Sequence, residues 1–127
     1  MKINNRQIGD VTILDVSGRV VAGEAAMLRE SIRDLLAGGE KDIVLNLAEA
    51  PYMDSAGIGE LVSALVAVRR ECGSLALMNL SRRVHDVLGI VKLLTVFQIF
   101  RSEAEALANF AVQQGSPRVL MAQAMRG

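Results

Sequence analysis

The chain has 127 residues, 51% apolar and 22% charged, which suits one domain with a closed core and excludes a disordered tail protein. Fourteen Lys plus Arg balance fourteen Asp plus Glu with no long run of one sign, which argues against general nucleic-acid binding. The start MKINNRQ lacks a signal peptide's apolar block, LVSALVAV is too short for a bilayer span, and a lone Cys72 and a lone His85 exclude an intrachain disulfide and most metal chemistry, so a soluble cytoplasmic protein without cofactor is expected.

Lys2 to Ile8 and Val11 to Val16 are β-branched segments separated only by Gly9-Asp10, a spacing that predicts an antiparallel hairpin. Leu28, Ile32, Leu35 and Leu36 recur at helical spacing from about Glu24, and Gly38-Gly39 stops that helix. Ile43 to Leu47 is an apolar run suited to an interior strand covered on both sides. From Ser55 to Glu71 a second helix places Ile58, Leu61, Val62, Leu65 and Val68 on one face, with Ala56, Gly59, Glu60, Ser63, Ala67 and Arg70 on the other. Leu75 to Met78 is a further strand, Ser81 caps a short helix through Leu88, and Val96 to Phe100 makes a last strand. Ser102 and Glu105 have capping-box spacing, which predicts a final helix to about Gln113.

This alternation predicts a small α/β layered domain over residues 1–113, with a mixed, mostly parallel sheet of four or five strands and about four helices. Gly115-Ser116-Pro117 breaks the pattern. Residues 114–127, with Val119, Leu120, Met121 and Met125, are expected to form a tail, more often frayed than docked in such segments, with the body or a neighbouring chain as its alternative resting place.

The strongest local feature is Met53-Asp54-Ser55-Ala56-Gly57-Ile58-Gly59, which follows a strand and Pro51 and opens the second helix. A helix start tolerates negative charge because its first amides lack intrahelical partners and the macrodipole is positive there, so a phosphate on Ser55 is locally stabilised. Gly57 and Gly59 keep the surface beside the hydroxyl flat enough for another molecule's backbone to approach. The plain alternative is that Asp54 or Ser55 is only a helix cap. Other chemistry is poorly supported. Gly18 to Ala25 has the glycine spacing of a P-loop, but Glu24 stands where the lysine belongs and Ala25 where the metal-binding hydroxyl belongs. His85 lies on a separate helix beside Arg82 and Arg83, and no nucleophile-elbow spacing surrounds Ser55.

The MDSAGIG stretch resembles the D-S-[ST]-G-[LIV]-G signature of STAS domains in bacterial anti-sigma factor antagonists. The resemblance extends through GRVV, IVLNLAEAPYMDSAGIGELVSA and LALMNLSRRVHDVLGIVKLLTVFQIF, roughly residues 3–110. It implies a binding protein rather than an enzyme. Its phosphoacceptor is Ser55, its partners are an anti-sigma factor serine kinase and a PP2C-type phosphatase, and phosphorylation ends binding. It also implies a partner surface of Val21, Glu24, Asp54, Ala56, Gly57, Ile58, Gly59 and Ser63. Two positions depart from the family: Ala56 replaces a second hydroxyl, and Val21 stands where an acidic residue is frequent, with Glu24 its candidate replacement.

A phosphate adds about −1.5 to −2 charges to a surface on which Asp54 and Glu60 are the other charged groups, so repulsion and desolvation, rather than refolding, are expected to break the interface. Two other readings accompany this one. The first is a scaffold or sensory-complex subunit acting by self-association, a homodimer among its forms, which the apolar tail after Pro117 favours. The second is a small-ligand-binding domain of the kind appended to transporters.

Overall fold

Lys2–Ile8 (β1) and Val11–Ser17 (β2) form an antiparallel hairpin whose last pair is Ile8 and Val11, and Gly9 takes φ 60° in the two-residue turn. They open the five-stranded sheet of a computed structural model that describes residues 1–114. Asp42–Glu49 (β3), Ser74–Met78 (β4) and Gln98–Phe100 (β5) follow in parallel, in the order β1-β2-β3-β4-β5, so the sheet is mixed and mostly parallel, as the sequence predicts.

Each parallel step needs a crossover, and Ala26–Ala37 (α1), Ser55–Arg70 (α2) and Arg82–Ile90 (α3) supply them. Leu28 and Ile32 of α1, Leu61, Leu65 and Val68 of α2, and Val84 and Leu88 of α3 pack in one cluster with Leu14, Ile43, Leu45, Leu47 and Leu77. The opposite sheet face carries Val11, Ile13, Val44, Ala76 and Met78, covered by Ala106 and Phe110 of Glu103–Gln114 (α4). The near-continuous apolar run of β3 follows from this burial on both sides.

Several boundaries move for identifiable reasons. The last strand keeps only Gln98–Phe100, because the Val96 amide donates to the Leu93 carbonyl in a turn (3.1 Å) and Phe97 is buried in the core. The first helix starts at Ala26 because a preceding turn takes up the amides of Glu24 and Ala25, both donating to the Val21 carbonyl (3.1 and 2.9 Å). α3 runs to Ile90 rather than Leu88. Ser102 caps α4 as its spacing predicts, Oγ accepting from the Glu105 amide (3.2 Å), but Glu105 Oε2 reaches past the cap residue to accept from the Arg101 amide (3.1 Å). The predicted tail lies outside the described residues apart from Gln114, which ends α4.

Beyond the carboxyl ends of β2 and β3, the two crossover loops are stitched together. Val20 and Met53 form an isolated parallel bridge, in which the Val20 amide donates to the Tyr52 carbonyl (3.0 Å) and the Asp54 amide to the Val20 carbonyl (3.2 Å). Gly57 makes this approach possible, since a Cβ there would run into the Val20 carbonyl, whereas one at Gly59 meets open space. Gly57→Ala is therefore expected to destabilise the protein by about 1–3 kcal/mol through forced backbone movement. Gly59→Ala should stabilise it by about 0.5–1 kcal/mol through helix propensity. Urea denaturation of both variants checks the opposite signs.

Candidate functional site

Ser55 is the first residue of α2 and is exposed, and its hydroxyl has no hydrogen-bond partner among the described residues. The preceding Asp54 is the helix cap, in extended backbone (φ −96°, ψ −173°). One carboxylate oxygen, Oδ1, accepts from the Gly57 amide and the other, Oδ2, from the Ala22 amide, each at 3.0 Å. The carboxylate thus spans both loops. These amides, Ala22 first and Gly57 second, hold its carboxyl below the usual carboxylate range, so it is ionised at neutral pH. The start of α2 is therefore not a row of vacant amides: a fixed anion already occupies part of it.

The predicted partner residues divide into groups. Gly59 is exposed beside Ser55, while Ala56 and Ile58 are half-buried and Ile58 packs against the core. Gly57 is buried, and the close approach that it allows is to Val20 of the same chain, not to an incoming surface. Val21 is half-buried in the loop facing Asp54. Glu24, proposed as the acidic replacement, is exposed but meets the amino group of Met1 at 3.4 Å. Ser63 lies eight residues beyond Ser55, about 12 Å along the helix. It lines an α1–α2 groove of about 370 Å³ with Ile32, Leu36, Val62 and Val66, so it belongs to a different surface.

Glu60 also departs from expectation. Its side chain is only 17% exposed and its Oε1 pairs with Arg29 of α1 at 3.2 Å, so its charge is countered away from the Ser55 surface. The core stripe of α2 takes in Ala64 as well as Leu61, Leu65 and Val68, because α1 and the sheet meet this helix on adjoining sides. His85 is exposed with Arg82 and Arg83, and its Nδ1 lies 3.9 Å from Asp86.

A second feature of this surface has no counterpart in the sequence motifs. Arg19 of the β2–α1 loop and Arg83 of α3 both lie over the ring of Tyr52, at 4.8 and 5.2 Å from its centroid. No single-segment motif joins the three residues, so only the fold reveals the stack.

Because Asp54 has a depressed carboxyl pKa in the folded state, its contribution to stability is complete above the unfolded carboxylate pKa, about 3.9. It is lost as pH falls through the folded value. Thermal melts should show Asp54→Ala less stable than the parent from neutral pH down to about pH 5, with the difference shrinking as pH drops below about 4.

Among the described residues no helix is long and apolar enough to cross a membrane, and no group of three or more His, Cys, Asp and Glu could hold a metal ion. The STAS domain model matches residues 2–106. The anti-sigma-B factor antagonist of Bacillus subtilis is 33% identical over 86 residues, covering 68% of this chain and 78% of the relative. A STAS domain protein from Planctomyces limnophilus has a similar structure (TM-score 0.77, 19% identity, 86% of this chain and 97% of that one). So does the Bacillus cell fate determinant SpoIIAA in its phosphorylated form (TM-score 0.69, 18% identity, 86% and 99%). With the family match spanning most of the chain and the fold agreeing, the chain belongs to the STAS domain family.

Proposed function

We propose that this protein is a cytoplasmic anti-sigma factor antagonist, a binding protein rather than an enzyme, switched by phosphorylation of Ser55. In the unmodified state it binds an anti-sigma factor that is also a serine kinase, and so releases the sigma factor. The kinase ends the complex by phosphorylating Ser55, and a PP2C-type phosphatase restores the active form. One observation carries this reading: Ser55 presents an exposed, unbonded hydroxyl at the start of a helix whose entry is clamped by Asp54. The relative from Bacillus subtilis, an anti-sigma-B factor antagonist by name, supports the role.

The electrostatics give the switch its direction. A phosphate of about −1.5 to −2 charges on Ser55 adds to the adjacent ionised Asp54, while Arg29 already offsets Glu60. The macrodipole of α2 partly balances this charge, which allows the helix to survive the modification. A partner closing over the site must strip water from an anion that it has no group to pair with, and the complex dissociates.

Incubation with ATP and the anti-sigma serine kinases of the same genome should add one phosphate by intact mass, and Ser55→Ala should abolish it. Labelling that persists in this variant would place the acceptor elsewhere. Ser55→Asp should weaken kinase binding by roughly tenfold or more with little change in melting temperature; unchanged affinity contradicts the charge mechanism.

A further inference from the structure

Three segments far apart in sequence meet at the Tyr52 ring, and a backbone tie beside each arginine places it there. The Val20 amide donates to the Tyr52 carbonyl (3.0 Å), which sets Arg19 over the ring. The Ser81 hydroxyl donates to the Pro51 carbonyl (3.1 Å) while accepting from the Val84 amide (3.1 Å), which sets the first turn of α3, and with it Arg83, over the same ring.

Arg19 and Arg83 are exposed, and among the described residues neither forms an ion pair. Arg6 and Arg29, by contrast, are engaged by Asp15 with Glu103 and by Glu60. Glu49 sits close in the chain path, its carbonyl accepting from the Gly18 amide (2.9 Å), yet it pairs with neither guanidinium. A guanidinium held over an aromatic face has fewer rotamers open to it and keeps an N–H edge for another acceptor, so less entropy is lost when it takes a ligand. Such an edge matches a carboxylate by paired N–H to oxygen contacts.

Tyr52 is three residues from Ser55, so at most about 11 Å of chain separates them. We infer that the Arg19–Tyr52–Arg83 stack is a docking bracket for acidic side chains of the protein partner that also covers Ser55, an inference that rests on the partner-binding role of Ser55. A nucleic acid is a poorer occupant, because the chain has no net charge and no long run of cations to follow a phosphate backbone. Phosphorylation then acts twice: it repels the partner's carboxylates and draws on the cations that would have met them.

The test uses the full chain and the anti-sigma serine kinases of its genome. Arg19→Gln with Arg83→Gln should slow association roughly tenfold at low salt and flatten its salt dependence, with the melting temperature unchanged. Arg19→Lys with Arg83→Lys should restore the salt dependence but only part of the rate, because charge returns without the planar donor edge. Equal rates and salt slopes for the parent and the Gln variant overturn the bracket. A Ser55→Asp protein that binds normally sinks the switch instead, so the two failures are distinguishable. A second readout needs no kinase: amide NMR shifts of the chain titrated with a hexaglutamate peptide at low salt. Saturable shifts centred on residues 18–20, 52–54 and 82–84, absent in the Gln variant, support the bracket. No shifts there, or saturation by inorganic phosphate but not by the peptide, overturns it.

Discussion

One carboxylate holds the surface around Ser55 together. Asp54 accepts from Gly57 in its own helix and from Ala22 in the other crossover loop, so a single side chain caps α2 and fastens the β2–α1 loop across it. Beside it, the Val20–Met53 bridge and Arg19 over the Tyr52 ring also tie the loop to the segment that leads into α2. The clamp depends in turn on Gly57, which lets the Val20 carbonyl come down onto the first turn. Sheet, glycine, carboxylate and hydroxyl form one chain of dependence, and Ser55 is its exposed end.

The same clamp sets the electrical character of the proposed switch. A bare helix terminus offers its amides to an incoming phosphate, and the modification then strengthens local order. Here the Gly57 amide is already taken by an ionised side chain, so the proposed phosphate joins an existing anion. The dipole still opposes part of the added charge, and the core of α2, with Leu61, Ala64, Leu65 and Val68 buried, is held by packing that the surface charge does not touch. On the proposed reading, the modification changes what the surface accepts while the fold persists.

The layered architecture was legible in sequence because its signals are local and repeated. The Gly9-Asp10 turn, the run at Ile43 to Leu47, the helical spacing of Leu61, Leu65 and Val68, and the caps at Ser81 and Ser102 each act over a few residues. Boundaries failed where tertiary contacts decided them, as with Val96 and Phe97, whose β-branched and aromatic character suits a strand although β4 pairs only with Gln98–Phe100. In the site, Ser55 and Asp54 were visible because motif and cap chemistry coincide. The internal duty of Gly57, the pairing of Glu60 with Arg29, the tie of Glu24 to the amino terminus and the stack on Tyr52 were not. Each depends on a residue at least 23 positions away that no spacing rule connects.

Amide hydrogen exchange of the unmodified and Ser55-phosphorylated protein tests the central claim, that a clamped helix start carries the switch without refolding. The Ala22 and Gly57 amides should be protected, although one lies in a loop and the other in a first turn, and protection throughout the sheet and α2 should survive phosphorylation. Exchange of Ala22 and Gly57 at unprotected rates in the unmodified protein, or loss of protection across α2 on phosphorylation, would contradict it.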